Sequence, residues 1–324
     1  MKLSYRLAAV AAFTFALGGA SALAQGYPER PIEWVVPYQA GGGTDIVARS
    51  VAEKMSETLG QPIVIANKPG AATAIGAAYA ARAKADGYVM VSGDTATLAA
   101  NPALYPNLSY DPAKDFDSVG LLARFAMILV VNPSVPVNNL EEFKAWAAKQ
   151  DGGVSYGTPG AGSPHHLATE LFKLQTKLNL VHVPYKGAAP AVQDVMGGQV
   201  PFMFVDSATG QQFIASGMLR PIAVASKERL SSLPEVPTLI ELGMDGFEAY
   251  AWQGLLVPDG TPQVAIDRLS ESLRGALNDP AILERFEGMG LEAIPSTPQE
   301  MDAYAQAERE KWGTVIKDAG ITLQ

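Results

Sequence analysis

Two stretches hold residue types that could do chemistry: "PYQAGGGTDIVAR", from Pro37, and "YGTPGAGSPHHLATELF", from Tyr156. In the first, Gly41, Gly42 and Gly43 allow positive φ and close backbone approach to a ligand. Thr44 or Asp45 can cap the helix that follows, and the unpaired N–H groups of a first helical turn suit an anion. A triphosphate loop needs Gly-Lys-Ser/Thr after the glycines, but here Thr44-Asp45 follows. A dinucleotide fingerprint needs a small residue at 46, where the chain has Ile46. Asp45 would repel a phosphate, so a carboxylate fits better than a phosphate. In the second stretch, Thr158 offers a hydroxyl and Ser163-Pro164 is a strong helix-start signal.

Ser163, His165 and His166 also invite a hydrolase reading. A nucleophile elbow needs Gly-x-Ser-x-Gly, whereas Gly-Ser-Pro-His-His stands here and the serine is accounted for as a cap. A metal site from His165, His166 and Glu170 is disfavoured, because adjacent helical side chains point in different directions. His165 reads instead as a hydrogen-bond donor facing a cleft. Lys186 is a candidate counter-charge, Arg124 a candidate interlobe ion pair, and Trp252 either lines a cleft or packs in the core.

These residues need elements to hold them. Ile32 to Pro37, Pro62 to Ala66, Tyr88 to Ser92 and Val154 to Tyr156 read as strands. Ile46 to Leu59, Ala71 to Ala85 and His165 to about Lys177 read as helices. Strand and helix alternate, which predicts an α/β chain with parallel sheets. In such sheets ligands sit beyond the carboxyl ends of strands, where both glycine turns lie. Two strand-turn-helix segments, from Ala126 and from Trp252, echo each other and read as two crossings between lobes. Lobe 1 is then 26–125 plus 246–324, and lobe 2 is 126–245. The amphipathic C-terminal segment, with Met301, Tyr304 and Trp312 on one side, is expected to pack on lobe 1.

The first 24 residues read as a signal peptide cleaved after Ala24: Lys2 and Arg6, then an apolar run from Leu7 to Leu17, then Ala22-Leu23-Ala24. The formal charge is -9, and removing Lys2 and Arg6 brings it to -11. So acidic a chain is a poor nucleic-acid partner, and an anionic ligand must be attracted by local groups. Cysteine is absent, so folding relies on core burial rather than disulfides.

Seven segments, among them "YPERPIEWVVPYQAGGGTDIVAR", "NKPGAATAIGAAYAARAKADGY", "YGTPGAGSPHHLATELF" and "HVPYKGAAPAVQDVMGGQVPFMF", span nearly all of the chain after Ala24, in order. With them the sequence resembles the Bug-type extracytoplasmic solute receptors of the tripartite tricarboxylate transporter family. The resemblance implies a two-lobed type II periplasmic binding fold, each lobe a mixed, mostly parallel sheet flanked by helices, with the ligand between the lobes. It implies a periplasmic monomer, without enzymatic activity, cofactor or metal, that captures a small organic carboxylate for a membrane transporter. C4–C6 dicarboxylates and aromatic carboxylates are the expected ligands. Carried over by position, Ala40, Gly42, Gly43, Thr44 and Asp45 face one carboxylate, with Thr158, Gly162 and Ser163 opposite. Asp206, Thr95 and Thr97 follow strands at the same edge. Tyr38 and His165 join the expected site, as does Gln39, whose long amide departs from the family's small residue or proline. A sensory receptor for a two-component system and an exported serine hydrolase are the alternatives.

Overall fold

The computed structural model describes residues 26–321, so the signal-peptide reading of 1–24 lies outside the described residues. In chain order the first elements are β1 (Ile32–Val36), α1 (Gly43–Leu59), β2 (Ile63–Asn67), α2 (Ala74–Ala81) and β3 (Val89–Asp94). A π-helical turn (Thr95–Ala100) then runs into α3 (Asn101–Leu104). Next come β4 (Phe116–Val131), α4 (Leu140–Ala147), β5 (Val154–Thr158), α5 (Pro164–Thr176), β6 (Leu180–Pro184) and α6 (Ala188–Met196). They are followed by β7 (Phe202–Asp206), α7 (Ser207–Ala215), β8 (Arg220–Val224) and β9 (Tyr250–Pro258). The chain closes with α8 (Gln263–Leu277), α9 (Pro280–Gly288), β10 (Leu291–Ala293) and α10 (Pro298–Asp318). Among the described residues no helix is long and apolar enough to cross a membrane.

Two parallel groups, β2-β1-β3 and β7-β5-β6, are joined through β9 and β4, which run antiparallel to their neighbours. β4 serves both sheets. It pairs with β9 as far as Ala126↔Tyr250 and with β7 from Met127↔Asp206 onward. Next to that switch three chain segments meet: Ala225 N–H donates to Met127 O (2.7 Å) and Met127 N–H to Ala249 O (3.3 Å). Ala249 N–H donates to Ala225 O (2.9 Å). The fold is therefore two-lobed, with β4 as one crossing and the 225/249 pair as the start of the other.

Sequence patterns explain most elements. In α1, Val47, Val51, Met55 and Leu59 recur at helical spacing and are all buried against the sheet, and Gly60 ends the helix in the left-handed region (φ 69°). β4 is apolar on both faces because both are covered, and nearly every residue from Val119 to Val131 is buried. α2 starts three residues later than its alanine-rich pattern predicts. Ala71, Ala72 and Thr73 adopt positive φ (46°, 45°, 78°), and the Asn101 amide grips Ala72 O (2.7 Å) and Thr73 Oγ1 (3.2 Å). Tertiary hydrogen bonds there override helix propensity. α10 opens on a capping box between Thr297 and Glu300. It lies across β4 and the π-helical turn, and its Glu308 carboxylate accepts the indole N–H groups of both Trp252 (3.0 Å) and Trp312 (2.8 Å).

Candidate functional site

The carboxyl ends of β1, β3, β5 and β7 converge on one small cavity of about 30 Å³. Tyr38, Gly42, Gly43, Thr44 and Asp94 line it from one side. Pro159, Pro164, His165, Ala188 and Asp206 line it from the other, and Phe125, Ala251 and Trp252 from the crossing strands. Among the described residues that line it there is no lysine or arginine.

Two helix starts at this cavity have no side-chain cap. α1 begins after Gly42, with no side chain bonded to its first turn, and Ile46 N–H to Gly42 O (3.0 Å) is its first helical bond. α6 begins after Gly187, likewise without a side-chain cap, and its first residue, Ala188, lines the cavity. The free N–H groups of such turns, with the positive end of the helix dipole, suit an anion. The loop before α1 is held from behind. Asp45 is buried, and its Oδ2 accepts from Gly41 N–H (3.0 Å) and Arg49 Nε (2.9 Å), while Oδ1 accepts from Asn67 Nδ2 (2.9 Å). Burial disfavours this carboxylate, but the bonds from Arg49, Asn67 and Gly41 outweigh it and hold its pKa below the ordinary range. Asp45 thus shapes the loop and does not face the cavity. Thr44 does face it, and Gln39 and Ala40 stand outside it. Gln39 packs at the rim, where a Cβ on Gly187 would stand 3.2 Å from its own Cβ.

The second glycine loop differs from expectation. Thr158, Gly162 and Ser163 do not line the cavity, because their polar groups are used within the loop. Thr158 Oγ1 lies 2.6 Å from His182 Nε2 and accepts from Gly160 N–H (3.1 Å). Gly162 N–H donates to His166 Nδ1 (3.1 Å). Ser163 donates to Gly160 O (2.7 Å) and accepts from His166 N–H (3.3 Å), which makes it the cap of α5. Pro164 has no N–H to offer. The uncapped helix start on this side of the cavity is that of α6, after Gly187, a turn that sequence reading used only for Lys186. Its Gly-Ala-Ala-Pro start carries no capping side chain, and that was the available signal.

Adjacent on α5, His165 and His166 face different ways. His165 is 5% exposed and lines the cavity, with Nε2 3.1 Å from Asp206 Oδ2 and with Nδ1 unpartnered. His166 faces inward and stacks on His182, ring centroids 4.1 Å apart, and both rings stack with Tyr156. Tyr156 OH donates to Glu170 (2.7 Å). Among the described residues no His, Cys, Asp or Glu cluster is arranged to hold a metal. Of the remaining candidates, Lys186 is exposed and away from the cavity, and Arg124 pairs with Glu292 (2.6 Å).

Burial pushes the His166 pKa down to about 4, aided by the Lys173 charge. Burial, then His166 and Lys173, pushes His182 down to about 3 against an opposing pull from Glu170. Both rings are neutral near pH 7. Their folded-state pKa values lie below the unfolded value, so the stability they contribute is complete above pH 6.5 and is lost as pH falls toward 4 and 3. Urea unfolding is expected to show about 3 kcal/mol lost between pH 6.5 and pH 5, about half of it from each ring, above the range where carboxylates titrate. A profile flat over that interval in the wild type would overturn the assignment, and the double variant H166Q/H182Q is expected to be flat.

Asp94 and Asp206 occupy matching places. Each ends a parallel strand, and each caps the next helical turn through a threonine three residues on: Asp94 Oδ1 accepts from Thr97 N–H (2.8 Å), Asp206 Oδ1 from Thr209 N–H (2.9 Å). Asp94 was missed as a site residue, although the repeat of Asp-Thr-Ala-Thr (94–97) in Asp-Ser-Ala-Thr (206–209) was there to be read. Tyr38 OH donates to Asp94 Oδ2 (2.5 Å). Burial raises the Asp94 pKa, and the bonds from Tyr38 and Thr97 and the charge of His165 offset it only in part. Thr97 is spent on Asp94 and Thr73, and Thr95 is buried with its hydroxyl unpartnered; neither lines the cavity.

The model of the tripartite tricarboxylate transporter family receptor matches residues 47–321. The chain belongs to this family. BugT of Bordetella pertussis is 34% identical over 98% of this family member and 99% of its own length. Rpa4515 of R. palustris, solved with adipate, is 34% identical with a TM-score of 0.89, covering 92% of this family member and all of that chain (100%). MatC of Rhodopseudomonas palustris, solved with malate, is 32% identical with a TM-score of 0.86, covering 90% and 100%. The family is one of solute-binding receptors, and the two-lobed fold of this member is that of a periplasmic binding protein.

Proposed function

We propose that this protein is a periplasmic receptor that captures a small organic carboxylate, a C4–C6 dicarboxylate or an aromatic carboxylate, and delivers it to a tripartite tricarboxylate-type membrane transporter. The observation that carries this reading is the pair of uncapped helix starts, α1 and α6, at one buried cavity. The anion's oxygens take the main-chain donors of Gly43, Thr44 and Ala188, which replace its hydration when the lobes meet. Each helix terminus contributes only ~0.3–2 kcal/mol, so direct hydrogen bonds supply the rest. The moving units are 26–125 with 246–324, and 126–245, hinged where β4 changes sheets and at the 225/249 pair. The adipate and malate bound by the two relatives support the ligand class. The receptor works as a monomer without cofactor, and no step of its action is catalytic.

The test is a thermal-shift panel of organic acids on the chain from residue 26. A rise in melting temperature that saturates with concentration is expected for a subset of acids. A panel with no shift, together with turnover of chromogenic esters that Ser163→Ala abolishes, would replace the receptor by a hydrolase.

A further inference from the structure

Beside the cavity lies a set of buried polar atoms with no partner in the fold. Gln253 is fully buried, yet neither its Nε2 nor its Oε1 is hydrogen-bonded. Thr95 Oγ1 and His165 Nδ1 are also buried and unpaired. An unsatisfied buried polar group costs about 1–3 kcal/mol, and a fold keeps few of them without a reason. Register puts Gln253 in place: on β9 it stands opposite Asp94 of β3, two residues beyond Ala251. Cross-strand partners and residues two apart on a strand share a face. Gln253 therefore shares the face of Asp94 and Ala251, both of which line the cavity. Thr95 follows Asp94, and His165 closes the opposite wall.

The hydrogen-bonding character of this floor is specific. His165 Nε2 is bonded to Asp206 Oδ2 and its Nδ1 has no partner. Gln253 Oε1 and the carboxylates of Asp94 and Asp206 are acceptors. Gln253 Nε2 and the Thr95 hydroxyl, which stand just behind the lining residues, are the donors. No cationic side chain lines the cavity to balance a second charge on the ligand at this floor. A bare methylene would leave Gln253, Thr95 Oγ1 and His165 Nδ1 unpaired, and a second carboxylate would meet two acids.

The geometry points to Gln253, Thr95 and His165 as the residues that select a ligand bearing a hydrogen-bond donor, a hydroxyl or an ammonium, next to its anchored carboxylate. This deepens the carboxylate-receptor reading and rests on it. A hydroxyl satisfies both the acceptors and Gln253 Nε2, and an ammonium satisfies the acceptors alone. Titration calorimetry with succinate, malate and aspartate separates the cases, since the three share a carbon skeleton and differ in one substituent. Malate or aspartate is expected to bind about tenfold tighter than succinate, or more. Malate ahead of aspartate identifies the hydroxyl, and the reverse order the ammonium. In Gln253→Leu the ratio to succinate is expected to collapse toward one. Thr95→Val, which keeps side-chain shape and loses only the hydroxyl, is expected to reduce it as well and serves should the first variant fail to fold. Equal affinity for all three acids, or a ratio intact in both variants, overturns the inference while leaving the receptor standing. Binding of no organic acid of any kind overturns the receptor reading and this inference with it.

Discussion

Gly43→Ala is expected to weaken organic-acid binding by about a hundredfold while leaving the free protein's melting temperature nearly unchanged. Gly43 is the first residue of α1, where alanine is conformationally welcome, so the lobe that carries it loses nothing. The cost falls on closure. A Cβ at this position would overlap Asp206 Oδ1 and stand 3.0 Å from its Cγ and 3.4 Å from Ala208 Cβ. Asp206 cannot readily step aside, because one oxygen caps α7 through Thr209 and the other meets His165. Calorimetry with a ligand from the acid panel, paired with a melting curve of the free variant, reads both quantities. Unchanged affinity would mean that Gly43 and Asp206 do not meet in the bound state.

Asp45→Ala is expected to lower stability by about 2–3 kcal/mol, and binding with it. The carboxylate is the shared acceptor for Gly41, Arg49 and Asn67, and Asn67 Nδ2 also reaches Tyr38 O (3.0 Å). Removing it frees the loop from Tyr38 to Gly43 on its inner side. The half-exposed Arg49 recovers water, so the loss stays below that of a fully buried pair. Urea unfolding of Asp45→Ala beside Arg49→Ala tests the ordering. If the arginine variant loses more, the ion pair and not the loop cage is the main contribution.

The two halves of the site differ in how they are built, and this bears on closure. The α1 loop is held by a carboxylate behind it, which leaves its amides free. The loop before α5 is held by its own serine, threonine and the stacked histidines, which consume its amides. The uncapped helix start that reaches the cavity from the second lobe is that of α6. At the rim, Gln39 packs on Gly187.

Local pattern by itself determined a good deal: the alternation of strands and helices, the glycine turn before α1, the Ser163-Pro164 start of α5 and Asp206 at a strand end. Those features rest on period, caps and turn residues, whose physics is contained within a few neighbours. The order of segments along the chain was enough for the family resemblance. Tertiary structure decided which donors remained unspent. Gly162 loses its N–H to a histidine four residues on, and Thr158 meets His182 from another strand, choices made by packing and invisible to spacing. Asp94 and Gln253 become neighbours only through the antiparallel pairing of β3 with β9, a register set by burial of both strands across a long sequence gap. Loop residues advertise what they could bind, but whether a hydrogen-bonding group is still available depends on every other group the fold brings within 3 Å of it.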